Sequence, residues 1–148
     1  MSENNERAQD PNYRSVKVER VGQKHYRATN KNGDTLDFGQ GEGMLTPVEL
    51  LLAAIAGCSS VDVDVVTSRR SEPETFEVLS SGIRKDDNGA VSLDDIEVSF
   101  NVKFPADADG EKAQGMVDRL IKLSAEKDCT VSRTVEHGAS VNFINENA

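Results

Sequence analysis

Tryptophan is absent from this sequence, and five phenylalanines and two tyrosines are its only aromatic residues. A core built here must rest on Val, Leu, Ile and Ala. Cysteine is nearly absent too, with two in 148 residues. That excludes a fold stapled by disulfides, and a chain of this length buries roughly two-thirds of its unfolded surface without such help. Positive charge is scarce: 17 Lys and Arg against 26 Asp and Glu leave a formal net charge of -9. Such a field repels phosphate backbones and anionic headgroups, so neither nucleic acid nor a membrane surface is an expected partner. Met1 to Asn12 has no apolar stretch, hence no secretory signal, and residues 1–14 are expected to form a disordered tail ahead of a single domain over 15–148. The longest apolar run, Leu50 to Gly57, is far shorter than the ~20 residues that span a bilayer. The expected location is a reducing cytoplasm, where two cysteines are either inert or catalytic.

The pattern along the chain predicts an α+β fold. Ser15 to Val21 alternates apolar and polar residues with the period of a strand, and His25 to Thr29 follows a turn at Gly22. Asn32-Gly33 marks a hairpin, with Thr35 to Phe38 returning from it. Thr46-Pro47-Val48-Glu49 reads as a capping box opening a helix from Leu50 to about Ser68. This central helix is apolar nearly all round in its first half and is expected to be buried on every side. Two long strands follow, Phe76 to Lys85 and Leu93 to Phe104, joined through Asp86-Asp87-Asn88-Gly89. An amphipathic helix starts near Asp109 and ends at Lys127-Asp128. A short segment from Cys129 to Val135 and a last strand, Ala139 to Ile144, complete the chain.

Chemistry is concentrated in the cysteines. Cys58 shares a helix face with Leu51, Ala54, Ile55, Val61 and Val65, which suits a small buried hydrophobe. Asp62, one turn on, would raise its thiol pKa. Cys129 stands at a turn leading into a further helical segment, where backbone amides favour a thiolate, and Arg133 lies four residues on. An equal reading is a residue that merely closes the corner between helix and turn. No metal site and no cofactor are expected: there is no C-x-x-C, and His25 and His137 belong to different elements. Gly39 to Gly43 lacks the lysine of a phosphate-binding loop, and no G-x-S-x-G elbow occurs.

Two stretches carry a resemblance. One runs from Thr46 through Leu50-Leu51-Leu52-Ala53-Ala54-Ile55-Ala56-Gly57 to Cys58; the other is Cys129-Thr130-Val131-Ser132-Arg133-Thr134-Val135. Together, and with the matching order of elements, they resemble the OsmC-like family, which includes the organic hydroperoxide resistance proteins. The resemblance implies an intertwined homodimer with paired central helices and a thiol-dependent organic hydroperoxide reductase. In it Cys58 is the peroxidatic cysteine, Cys129 the resolving one, and a dithiol the reductant. The resemblance also shows departures. Peroxidase members carry a glutamate directly after the helix-opening proline, where this chain has Val48; Glu49 follows one residue, about 100° around the helix, later. They also hold the thiolate with an arginine from an early strand; Gln23, Lys24 and Arg27 stand nearest here and none is an obvious match, so Lys24, Arg27 or Arg133 are the candidates to supply a cation. The alternative expectation is therefore a non-enzymatic OsmC-like protein whose interface pocket holds a small apolar ligand.

Overall fold

The computed structural model describes residues 6–148, so the first five positions of the expected tail lie outside the described residues. Residues 6–8 form a helical turn. The chain divides between Leu50 and Leu51 into two compact units.

In the first unit, β1 (Lys17–Gly22), β2 (His25–Thr29) and β3 (Thr35–Gly39) form an antiparallel sheet in chain order. The predicted hairpin forms at Asn32-Gly33. Asn30 Oδ1 accepts the N–H groups of Asn32 and Asp34, and Gly33 takes the positive φ of 89° that such a turn requires. Pairing of Arg27 with Asp37 across β2 and β3 sets the two side chains side by side.

Helix α1 (Pro47–Thr67) starts as predicted. Glu49 Oε1 accepts from Thr46 N–H at 2.9 Å, and Thr46 Oγ1 accepts from Glu49 N–H at 3.2 Å. The expectation that α1 is buried on every side is corrected. Its buried residues are Ile55, Ser59, Val63 and Thr67, one stripe at four-residue spacing. Leu51, Val61 and Val65 remain 38%, 60% and 49% exposed. An apolar composition makes a helix able to be buried, but packing partners decide which faces are. As a whole helix, α1 is also longer than its apolar run suggested: by length and composition alone its 21 residues are apolar enough to cross a membrane. Its polar residues include the buried Ser59 and Thr67, with Asp62 and Asp64 between them.

The second hairpin pairs β4 (Thr75–Asp87) with β5 (Ala90–Lys103). Asn88 and Gly89, with φ of 54° and 89°, make the two-residue turn whose twist matches the strands. Ile96, Val98, Phe100 and Val102 face inward on β5, as their alternation predicts. Helix α2 (Ala108–Gln114) is capped by Asp107, whose Oδ1 accepts from Gly110 N–H at 2.7 Å. Only glycine fits at Gly110, since a Cβ there would run into the Pro105 carbonyl. Gln114 clamps α2 to the end of β5, donating from Nε2 to Val102 O and accepting at Oε1 from Phe104 N–H, both at 3.0 Å. Val102, Phe104, Ala113 and Val117 form the core beneath this clamp.

The single helix expected from Asp109 breaks at Gly115-Met116 into α2 and α3 (Val117–Leu123). A π-helical turn, Ser124–Asp128, follows, and then α4 (Thr130–His137). The strand expected over Ala139 to Ile144 is also corrected. Among the described residues this segment pairs with no strand, and Val141, Phe143 and Ile144 are 72%, 95% and 77% exposed. Alternation qualifies a segment for pairing, but a strand forms only against a neighbour that takes its hydrogen bonds.

Candidate functional site

Cys58 and Asp62 sit one turn apart on α1, so they project from the same side of the helix. Cys129 arrives from the other end of the second unit. The π turn before it carries one more residue than an α turn, closed by Cys129 N–H donating to Ser124 O at 2.8 Å. That extra residue sets Ser124 and Cys129 against α1 together. The result is a cluster in which one ligand atom each of Cys58, Asp62 and Cys129 all lie within 4.8 Å of one another. Cys129 is fully buried and Cys58 half-buried.

Hydrogen bonds fix two of the three members, Cys129 and Asp62. Ser59 Oγ donates to Cys129 Sγ at 3.3 Å, and Ser132 N–H donates to the same sulfur at 3.4 Å. Cys129 is the N-cap of α4, so its sulfur receives the free amide of the first helical turn. Ser124 Oγ donates to Asp62 Oδ2 at 2.7 Å.

The two thiols are pushed in opposite directions. Burial, the largest influence, pushes the Cys58 thiol up; the Val131 N–H counters part of this, and the negative neighbours Cys129 and Asp62 add to it. Burial acts upward on Cys129 as well. There it is outweighed by the Ser132 and Ser59 hydroxyls, the Ser132 N–H and the Cys58 thiol, and Cys129 is held below its ordinary value. The two thiols are thus unequal, Cys58 the harder to ionise and Cys129 the easier.

The other candidates from the sequence are exposed or already engaged. Lys24 is an exposed turn residue with φ of 58°. Arg27 is bound to Asp37, through Nε at 2.7 Å and Nη2 at 3.0 Å, and His25 Nε2 meets the same carboxylate at 2.8 Å. These partners hold Asp37 at about 2. Glu49 is committed to the capping box, which lowers its own pKa. Arg133 is exposed on α4 and makes no ion pair among the described residues. The sequence reading missed Ser59, Ser124 and Ser132. Ser132, three residues into a helix capped by Cys129, had a local signal; the other two act across contacts that only the fold creates.

A cleft of about 600 Å³ opens beside the cluster. Ile55, Val98, Phe100 and Ile121 supply its apolar wall, Ser59 and Ser132 its boundary toward the sulfurs, and Asp94, Asp95 and Glu136 its acidic part.

Comparison with known proteins places this arrangement. The family model described as OsmC-like protein matches residues 39–143, which include both cysteines. An uncharacterized protein of Mycobacterium tuberculosis is 31% identical over 129 residues, covering 85% of this chain and 91% of the relative. Among solved structures, a hypothetical protein from Aquifex aeolicus VF5 superposes with a TM-score of 0.67 at 27% identity, covering 85% of this chain and 89% of that one. The organic hydroperoxide resistance protein OhrB of Bacillus subtilis superposes with a TM-score of 0.50 at 22% identity, covering 81% and 90%, a likeness of fold alone. The matched span holds both cysteines and covers most of the chain, and the chain belongs to the OsmC-like protein family.

Proposed function

We propose that this protein is a cytoplasmic, homodimeric, thiol-dependent reductase of organic hydroperoxides. The observation that carries the reading is the approach of two cysteines 71 positions apart in sequence: their sulfurs lie within 4.8 Å, one of them wholly buried. Cys58 is the sulfur a substrate can reach, and Cys129, which accepts hydrogen bonds in a closed site, is suited to resolve. The Cys58 thiolate attacks the terminal peroxide oxygen, the O–O bond breaks, and the alkoxide takes the proton held on Cys129 and leaves as the alcohol. Cys58 is then a sulfenic acid and Cys129 a thiolate. The Cys129 thiolate attacks the Cys58 sulfur, the S–O bond breaks, and the hydroxide takes a proton from solvent and departs as water, leaving a Cys58–Cys129 disulfide for an external dithiol to reduce. Cys129 can accept the Cys58 proton as the two share it, which supplies the attacking thiolate without the arginine that peroxidase members use. The hydroperoxide resistance named for the Bacillus subtilis relative supports the substrate class.

The test is to mix fully reduced protein with cumene hydroperoxide, without reductant, and follow free thiols and intact mass. Loss of two thiols and two hydrogen atoms per chain, absent in Cys58→Ser, is the expected result. Unchanged thiols would overturn the reading. In that event the second reading, a binding protein for a small apolar ligand, gains: the elevated Cys58 thiol and the cleft beside it favour that role.

A further inference from the structure

The redox mechanism leaves Asp62 without a purpose. A carboxylate beside an attacking thiol opposes thiolate formation, yet it is half-buried at the cluster, held by Ser124, and makes no ion pair among the described residues. We propose that Cys58, Asp62 and Cys129 form a binding site for a thiophilic divalent cation, with zinc the best-suited ion. The proposal does not depend on peroxidase activity.

Three arguments support it. The donor set is that of zinc, two thiolates and one carboxylate, with a fourth position left for water. Tetrahedral zinc, with bonds of about 2.3 Å to sulfur and about 2.1 Å to oxygen, holds its ligand atoms roughly 3.5 to 3.8 Å apart. Atoms already within 4.8 Å need close by no more than about 1.3 Å. Residues four apart on a helix are also a recurrent way to present two ligands to one metal, as in the H-E-x-x-H arrangement. Finally, the ligands are already oriented. Ser124 Oγ at 2.7 Å from Asp62 Oδ2 turns the carboxylate's other oxygen free, and Cys129 Sγ is fixed by Ser59 and Ser132. Spacing along the chain gave no sign of this, because the third ligand is brought in from position 129.

On binding, the two thiols release their protons to solvent and both sulfurs bond to the metal. A metal-bound pair cannot form its disulfide, so cation and oxidant compete for the same two atoms.

Cobalt(II) titration of the reduced full-length chain tests the proposal. The expected result is one equivalent bound per chain, with the near-ultraviolet thiolate-to-cobalt charge-transfer band and the intense visible bands of a tetrahedral site, both erased by added zinc. Cys129→Ser should lose the charge-transfer intensity of one thiolate. Asp62→Asn keeps both thiols and the size of the side chain, and should weaken binding at least tenfold; Ser124→Ala should weaken it by about 10- to 100-fold. Circular dichroism of each variant separates a lost ligand from a lost fold. Absence of thiolate bands at one equivalent of cobalt, or wild-type affinity in a folded Asp62→Asn variant, would overturn the site.

Discussion

Ser59 Oγ donates a hydrogen bond to Cys129 Sγ at 3.3 Å, joining the middle of α1 to the cap of α4 at a fully buried sulfur. The bond favours the charged sulfur, so removing it should raise the Cys129 pKa. Ser59→Ala is expected to move the ultraviolet thiolate titration to higher pH and to cost about 1 kcal/mol of stability, the net worth of one buried hydrogen bond. An unshifted titration would mean that the Ser132 donors alone hold the charge.

The roles of the two cysteines separate by single replacement. In Cys129→Ser, Cys58 has no partner to condense with, and treatment with an alkyl hydroperoxide should halt at a sulfenic acid. Mass spectrometry should show one added oxygen atom, captured by dimedone. Cys58→Ser should show neither species, since Cys129 is fully buried. Dimedone capture at Cys129 instead would reverse the assignment.

Much of this architecture was legible where the determinants are local. The Asn32-Gly33 and Asn88-Gly89 turns, the Thr46–Glu49 capping box and the alternation from Ile96 to Val102 each lie within a few residues, and all formed as read. The cluster was half legible. Cys58, Asp62 and Cys129 could be named, but Ser124 reaches Asp62 across 62 positions, and the extra residue of the π turn that brings it there has no sequence mark. Two of the misread elements share one cause. Apolar patterning in α1 and over Ala139 to Ile144 reports a capacity for burial or pairing, and whether a partner is present is a property of the assembled fold.

Asp37 supplies a pH dependence. Its carboxyl, hydrogen-bonded to Arg27 and His25, lies at about 2 in the folded chain, below its ordinary value of 3.8. The folded state thus gains from the ionised form: the contribution is complete above about pH 4, falls as pH drops toward 2, and is gone below that. Asp37→Asn should be less stable than the parent at neutral pH, with the difference vanishing at the acid end of a denaturation series. A gap that persists to pH 2 would assign the effect to packing rather than charge.

Thr46 and Glu49 exchange the hydrogen bonds that open α1. Thr46→Ala removes the acceptor for Glu49 N–H and should destabilise the fold by about 1 kcal/mol in chemical denaturation. Glu49→Gln should leave the rate of thiol oxidation unchanged, because the carboxylate is engaged by Thr46 N–H. A slowed rate would restore Glu49 as a positioning residue for Cys58.

The proposed dimer makes the last prediction. Leu51, Ala54, Cys58, Val61 and Val65 recur at alternating spacings of three and four, the seam by which one helix packs against another, and this stripe is distinct from the buried one at Ile55, Ser59, Val63 and Thr67. Val61 is 60% exposed in the single chain, so Val61→Glu should not disturb the monomer's own packing. At a paired seam it would lose the burial of a valine, about 1.5 kcal/mol or more, and place a charge among apolar residues at several more. Sedimentation should then show twice the chain mass for the parent and the single mass for the variant. Because Cys58 belongs to the seam, its alkylation should also be faster in the variant. A parent that sediments as a monomer would remove the dimer from the proposed function while leaving the Cys58–Cys129 chemistry to stand on its own test.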